Sequence, residues 1–490
     1  MKQKIPISHL LSLLLGTLAL CACALLNPIN HYLSALLLVL CGVSLYFYIA
    51  FVPAKRNWWD IRAVFAAIWL TTIGLAALRL TGYQRPWESA TWLILAAAYA
   101  TFYIGATVGL RLGCKFHDRV KNSKILPFKK YTLRLQENRL FWICFGVTLF
   151  GIACFAANVA IRGYIPYFSR SSDAYLGFYT KFYIFCVAAT MISGLSYYTL
   201  KTQKLALWKK IFLWFSIVYS TFLFPMLVVS RGVFLTAALA LTTAVFYLNK
   251  KRFLLLVLCA LVIVAFYMEG TKARGYSDAQ LNAFFEPSII TMNGSTAPTD
   301  GTDESNPSDP TASTEDGSDG LDSDVKHFQL SGTASFIYSY LTVSHDNFNE
   351  AVRLTEHYSY GIRQLTPFNV ILRIDALDQA VSDCEYHLVR PHLNTVNLAG
   401  YAYYDFGAVG VAVLMLLWAI AFGMIQAFAQ KSLGPFALMA LGNTMTPVTL
   451  CCFAPWMSIF SNWMHWGFVL ILFLIATITK KPNNSETNLQ

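Results

Sequence analysis

The stretch Ile211–Asn249 decides the fold, because it reads IFLWFSIVYSTFLFPMLVVSRGVFLTAALALTTAVFYLN and holds a single charged side chain, Arg231. A helix of ~20 residues crosses the hydrocarbon core of a bilayer, so this length predicts two spans joined by a turn at Ser230-Arg231-Gly232. An ionisable side chain in such a place is costly to bury and marks a functional site by default. The alternative is an arginine that snorkels from a helix end and only anchors it.

The rest of the chain has the same apolar character. Of its 490 residues, 56% are hydrophobic and only 13% are charged. This composition predicts an all-α polytopic integral membrane protein. The apolar runs indicate about twelve transmembrane helices, near residues 8–26, 32–52, 63–80, 90–110, 140–160, 182–200, 211–229, 233–248, 253–268, 397–427, 434–453 and 459–479.

The basic residues predict the orientation of these spans. With both termini in the cytoplasm, 24 of the 37 Lys and Arg residues lie inside, together with only four of the 26 acidic residues. This bias follows the positive-inside rule. The net charge of +11 therefore reflects membrane topology, and no nucleic-acid partner is expected.

The two sides also differ in the type of basic residue. Lysine accounts for 17 of the 24 inner basic residues, whereas arginine accounts for 10 of the 13 outer ones. Lysine is sufficient for attraction to lipid headgroups, but arginine offers a rigid fork that binds phosphate through two hydrogen bonds. The outer face is therefore expected to bind an anion, and Arg231 lies on that face.

The spans divide the chain into membrane parts and one large outer loop between spans nine and ten. Residues 1–268 hold spans one to nine, 269–396 form the extracytoplasmic loop, 397–479 hold spans ten to twelve, and 480–490 form a cytoplasmic tail. Within the loop, the acidic insert 293–325 lacks aromatic residues, and we expect it to be disordered because it cannot bury enough apolar surface. Residues 326–396 carry aromatic residues at helix-like intervals and predict a compact helical cap on the outer face.

Four outer arginines are candidates for binding a pyrophosphate, namely Arg231, Arg162, Arg170 and Arg390. A pyrophosphate carries roughly two to three negative charges, so two or three guanidinium groups and a helix N-terminus would neutralise it. Arg231 opens span eight, so its side chain and the helix dipole would act on the same anion. For each arginine alone, the alternative is anchoring at the membrane interface.

Chemistry at a phosphate-linked substrate also needs a group that takes up a proton. His345 and His392 are the first candidates, because histidine titrates nearest neutral pH. Asp346, Asp375 or Asp405 could replace them. The alternative for each histidine is a solvated loop residue.

Asp405 opens span ten within Tyr404-Asp405-Phe406-Gly407-x-x-Gly410. It is the only acidic residue between Glu385 and Glu486, so we expect it to be buried or interfacial and to need a partner, for which an outer arginine is the candidate. Such structural pairing competes with a catalytic role for this carboxylate.

No cofactor is predicted. The chain has no Gly-rich phosphate loop followed by Lys and Ser or Thr, which argues against ATP-driven transport. A metal site is also not predicted, because His387 and His392 are five residues apart and do not share a helical face.

Four features together resemble a known family. They are Gly163-Tyr-Ile-Pro-Tyr-Phe168 after a span, the Ser230-Arg231-Gly232 turn, the large outer loop before span ten, and Asn394-Thr395 followed by Tyr404-Asp405-Phe406-Gly407-x-x-Gly410. In this order and on one side of the membrane, they resemble the bacterial oligosaccharide repeat-unit polymerases, the Wzy-type O-antigen and capsule polymerases. The resemblance covers residues 140 to 427, and the acidic insert 293–325 is not part of it.

The resemblance implies a GT-C-like, metal-independent glycosyltransferase in the bacterial cytoplasmic membrane. Its donor and acceptor would be undecaprenyl-pyrophosphate-linked glycans, with membrane lipid, a flippase and a chain-length regulator as further partners. Arg231 with Arg162, Arg170 or Arg390 would hold the pyrophosphate, and His345 or His392 would orient or deprotonate the attacking hydroxyl.

Two other functions stay open at this point. An O-antigen ligase would share the fold and the donor but use a different acceptor. A polysaccharide flippase or transporter would also have about twelve spans, although transporters usually carry internal repeats and polar, broken helices at the midplane.

Overall fold

The computed structural model describes residues 7–51, 57–122, 131–133, 135–169, 181–249, 332–390 and 393–480. Several predictions lie outside these residues: the span near 253–268, the acidic insert 293–325, Arg170, His392 and the tail beyond residue 480.

The described chain is almost entirely helical. The first half holds α1 (Ile7–Leu26), α2 (His31–Phe51), α3 (Ile61–Ala77), α4 (Ser89–Asn122), α5 (Glu137–Arg162), α6 (Pro166–Ser169), α7 (Lys181–Ala189), α8 (Ile192–Thr202), α9 (Leu207–Val218), a π-turn (Tyr219–Leu223), α10 (Phe224–Leu227) and α11 (Arg231–Leu248). The second half holds α12 (Gly332–Leu354), α13 (Ile362–Leu372), α14 (Asp375–Ser382), α15 (Gly400–Ser432), α16 (Pro435–Thr449), a 3₁₀ turn (Trp456–Ser458) and α17 (Phe460–Thr477). Two three-residue strands complete it, β1 (Tyr131–Leu133) and β2 (Ile478–Lys480).

The helices bear out a multi-pass membrane protein. Within the described residues, nine helical segments are long and apolar enough to cross a membrane. They correspond to nine of the twelve predicted spans. Two other predicted spans form shorter helices, α3 with 17 residues and α16 with 15, and both are largely buried among their neighbours.

The longest helices, α4 and α15, pack side by side through glycines. Gly105, Gly109 and Gly113 recur every fourth residue on α4 and face the backbone carbonyls of Leu416, Ile420 and Met424 in the same order, so the two helices run parallel. A β-carbon added at Gly113 would lie 2.6 Å from the Met424 oxygen, and additions at the other two positions would collide as well. Small residues at this spacing let membrane helices approach closely.

The helix ends form two distinct ends of the bundle. At one of them, called the basic end below, β1 pairs antiparallel with β2 and Lys431 Nζ lies 2.6 Å from Asp118 Oδ1. Arg139 of α5 also donates to the carbonyl of Ile475 in α17 at this end. The opposite end carries α12, α13 and α14 and is called the α12 end.

The predicted cap region 326–396 holds three helices in its described part, and the first of them is packed into the bundle. Residues 342–351 of α12 are all buried, against α3, α4 and α15. Phe348 and Ala351 belong to the main hydrophobic core. The α12 helix is not among the nine candidate spans, because its buried face is polar.

Candidate functional site

A tight turn positions Arg231 at the α12 end. Val229 adopts a left-handed backbone conformation with φ 49°, which costs a β-branched residue of order 1–3 kcal/mol. The next residue, Ser230, donates its backbone N–H to the Pro225 carbonyl, and its side chain accepts from the N–H of Val233. Ser230 is thereby the N-cap of α11, and Arg231 is the first helical residue. The strained, capped turn fixes where the arginine leaves the backbone.

The Arg231 side chain is buried against aromatic rings. Only 7% of the residue is exposed, and its guanidinium carbon lies 5.3 Å from the ring centre of Tyr340 on α12. Tyr340 in turn stacks on Phe453, with ring centres 5.5 Å apart and planes 13° from parallel. A desolvated cation–π contact of this kind is worth about 2 kcal/mol. Because a cation at a helix N-terminus adds to the positive dipole end, the arrangement concentrates positive charge at one point.

Two other predicted arginines belong to segments that pack around this turn. Arg162 is exposed as the last residue of α5, and Tyr164 beyond it packs in one hydrophobic cluster with Val228 and Val233. On the other side, the half-buried Arg390 follows Val389, which packs in a cluster with Tyr340. The structure therefore brings the segments of Arg162, Arg231 and Arg390 together at the α12 end.

His345 is fully buried and uses both ring nitrogens within the protein. Its Nε2 lies 2.9 Å from Thr72 Oγ1, and its Nδ1 lies 3.1 Å from the side-chain nitrogen of Asn397. Thr72 donates its hydroxyl proton to the Ile68 carbonyl, so its oxygen accepts from the Nε2–H of His345. The ring is therefore the neutral tautomer that carries its proton on Nε2. Burial lowers the pKa of His345 to about 3. In this arrangement the histidine fixes α12 to α3 and to the segment before α15.

The neighbouring carboxyl of Asp346 is buried in a second polar group. Its two oxygens accept hydrogen bonds from Trp87 Nε1 at 2.9 Å and Gln84 Nε2 at 3.0 Å. Burial raises the pKa of Asp346 to about 7, although these two hydrogen bonds act in the opposite direction. A carboxyl that titrates near neutral pH is a candidate for proton transfer. The sequence named Asp346 only as a replacement for the histidines, because its partners come from a loop some 260 positions away.

Asp405 caps the N-terminus of α13 from outside that helix. The carboxylate is fully buried and accepts from the backbone N–H groups of Arg363 at 3.1 Å and Gln364 at 3.0 Å. It also accepts from Ser359 Oγ at 2.5 Å. An outer arginine was the expected partner, and Arg363 does contact Asp405, but through its backbone N–H. The geometry is that of an N-cap supplied by a residue distant in sequence.

The Arg363 guanidinium points into a cage of tyrosines. It lies 4.9–5.2 Å from the ring centres of three of them and donates to two backbone carbonyls, those of Glu385 at 2.6 Å and Cys384 at 3.2 Å. The three rings belong to Tyr386, Tyr401 and Tyr404. Arg363 thus ties the segment after α14 to α13 and α15, so this arginine holds the structure together.

Among the residues that the structure describes, no three His, Cys, Asp or Glu side chains form a group able to hold a metal ion. Comparison of the chain with protein-family models, with curated proteins and with solved structures gives no match.

Proposed function

We propose that the chain polymerises undecaprenyl-pyrophosphate-linked oligosaccharide repeat units at the outer face of the bacterial cytoplasmic membrane, as a GT-C-like enzyme with about twelve spans. The observation that carries the proposal is the buried guanidinium of Arg231, set at the N-terminus of an apolar helix and backed by Tyr340. A cation held there is suited to a phosphate group that enters from the membrane boundary.

The proposed reaction uses this charge to stabilise a leaving group. A hydroxyl of the incoming unit attacks the anomeric carbon of the growing chain, the bond from that carbon to the pyrophosphate oxygen breaks, and the lipid pyrophosphate departs with the bonding electron pair. Arg231, with Arg162 and Arg390 from the adjoining segments, would stabilise the charge that develops on the pyrophosphate. Arg170 remains a candidate for the same role.

The hydroxyl proton needs an acceptor close to these arginines. We assign this role to His392, which follows Arg390 by two residues. His345 and Asp405 are better suited to positioning, because their polar atoms are already used by neighbouring elements. His345 would hold α12, and with it Tyr340, in place under Arg231.

The orientation belongs to the same proposal. The basic end carries Lys115, Lys209 and Lys431, so we place it and both termini in the cytoplasm. Donor and acceptor lipids would then meet at the α12 end, where a flippase would deliver them and a chain-length regulator would act.

The phenotype of a deletion strain of the source organism tests the proposal. Loss of a polymerase leaves single repeat units on the cell surface, and reintroducing the intact chain restores long glycans. Polymer that accumulates on its lipid carrier would instead indicate a ligase. Repeat units trapped inside the cell would indicate a flippase, and either outcome would overturn the proposal.

A further inference from the structure

Helix α13 carries an exposed apolar stripe although it lies outside the nine candidate spans. Leu365, Phe368 and Leu372 are exposed by 53%, 38% and 61%, at positions i, i+3 and i+7 of the helix. This spacing places them along one side of the helix. The opposite side is anchored in the protein, because Arg363 and Pro367, which are four residues apart on that side, are both buried.

The helix is held firmly between two spans. Asp405 of α15 caps its N-terminus, and Gln364 accepts a hydrogen bond from Ser458 at 3.1 Å. The ring of Phe368 packs against Trp463 of α17, with ring centres 5.4 Å apart. These contacts determine which side of α13 faces outward, so the fold itself keeps the stripe exposed.

The stripe adjoins an exposed apolar surface of the candidate span α15. That surface includes Phe406, Val409 and Val413, of which Val409 is 73% exposed on a long apolar helix. Gly361, the N-cap residue just before α13, lies directly against Phe406, since a β-carbon there would be 3.1 Å from its ring. The start of α13 therefore adjoins the exposed apolar surface of the span.

Charge changes sharply at the end of this helix. Arg373 follows its last residue, and the next helix, α14, carries the exposed Asp375 and Asp378. A helix that lies in the plane of a membrane interface buries its apolar side among acyl chains, and charged groups stay at the headgroup level.

We infer that α13 is an interfacial helix whose stripe of Leu365, Phe368 and Leu372 inserts into the phospholipid leaflet at the α12 end. The occupant of the stripe is lipid, because the surface that it adjoins belongs to the candidate span α15. The inference is independent of the proposed enzymatic function.

Photocrosslinking in vesicles of phosphatidylethanolamine and phosphatidylglycerol tests it. The full-length protein would carry the photoreactive residue benzoylphenylalanine at Leu365, at Val413 as the lipid-facing reference, or at the exposed Gln379 of α14 as the control. Mass spectrometry would count lipid adducts after illumination. We expect Leu365 to give adducts at a yield close to that of Val413 and several-fold above that of Gln379.

Two outcomes would overturn the inference. A yield at Leu365 no higher than at Gln379 would place the stripe in water. A crosslink from Leu365 to a second copy of the chain or to another protein would show that a protein covers it. Folding of each variant is checked by size-exclusion chromatography, and Phe368 offers a second position on the same stripe.

Discussion

The capping role of Asp405 gives the sharpest structural prediction. Replacing Asp405 with alanine leaves the N–H groups of Arg363 and Gln364 buried without an acceptor and removes the partner of Ser359. An unsatisfied buried donor costs about 1–3 kcal/mol, so two of them give about 2–6 kcal/mol. We expect this loss to appear as easier local opening of α13.

Hydrogen exchange measures that opening directly. At 1.4 kcal/mol per tenfold change, a loss of about 3 kcal/mol speeds exchange of the first α13 amides by about 100-fold. Peptides from α5 serve as the internal reference and should exchange at the wild-type rate. In Asp405→Asn, one side-chain oxygen can still accept from Ser359 and Arg363, so this variant should show a smaller increase.

One result would refute this reasoning. If Asp405→Ala left exchange in α13 within twofold of wild type but abolished polymer formation, the carboxylate would act in the chemistry and not as a cap.

Three further predictions concern packing, the arginine site and pH. Gly109→Leu should prevent recovery of folded protein by size-exclusion chromatography, because the new side chain would collide with α15. Gly146→Leu is the control and should be tolerated, since nothing lies within 4 Å of a β-carbon there. Equal recovery of the two variants would contradict the packing of α4 against α15. Tyr340→Leu should weaken binding of inorganic pyrophosphate to the purified protein by up to about thirtyfold in a titration, because a cation–π contact of about 2 kcal/mol is lost, while Tyr340→Phe should bind normally. Identical affinities of the two variants would exclude this support of the arginine. Burial raises the pKa of Asp346 to about 7, so the folded state keeps its proton while the unfolded state releases it near pH 3.8, and thermal stability in detergent should fall as pH rises from about 4 to 7. The stability of the Asp346→Asn variant should fall less over this pH range. A pH dependence equal to that of the wild type would contradict the prediction.

The transmembrane helices could be predicted from the sequence, because an apolar run of ~20 residues has few alternatives to a membrane span. Nine predicted spans are helices of sufficient length within the described residues. The break between spans seven and eight lies at Val228–Ser230, so the predicted turn Ser230-Arg231-Gly232 was close, but Arg231 and Gly232 already belong to α11. The glycine repeat of α4, at Gly105, Gly109 and Gly113, was not part of the sequence prediction. Its role in packing depends on the partner helix α15, which no local sequence pattern identifies.

The polar contacts of the α12 end were not predictable in the same way. The aromatic pattern around α12 suggested a helix on the membrane surface, yet residues 342–351 are buried because their polar side chains find partners in distant segments. The same is true of Asp405, whose charge suggested a guanidinium partner but whose position meets the open N-terminus of α13. Such pairs depend on tertiary contacts over tens to hundreds of residues, which spacing alone does not encode.

The most direct test of the proposed role of Arg231 is polymerisation by purified Arg231→Lys in vesicles supplied with undecaprenyl-pyrophosphate-linked repeat units. Lysine keeps the charge but not the paired donors of the guanidinium, so we expect products to remain single units. Arg139→Lys, an equivalent change at the basic end, is the control and should give wild-type chain lengths. Full-length polymer from Arg231→Lys would contradict phosphate recognition by this arginine.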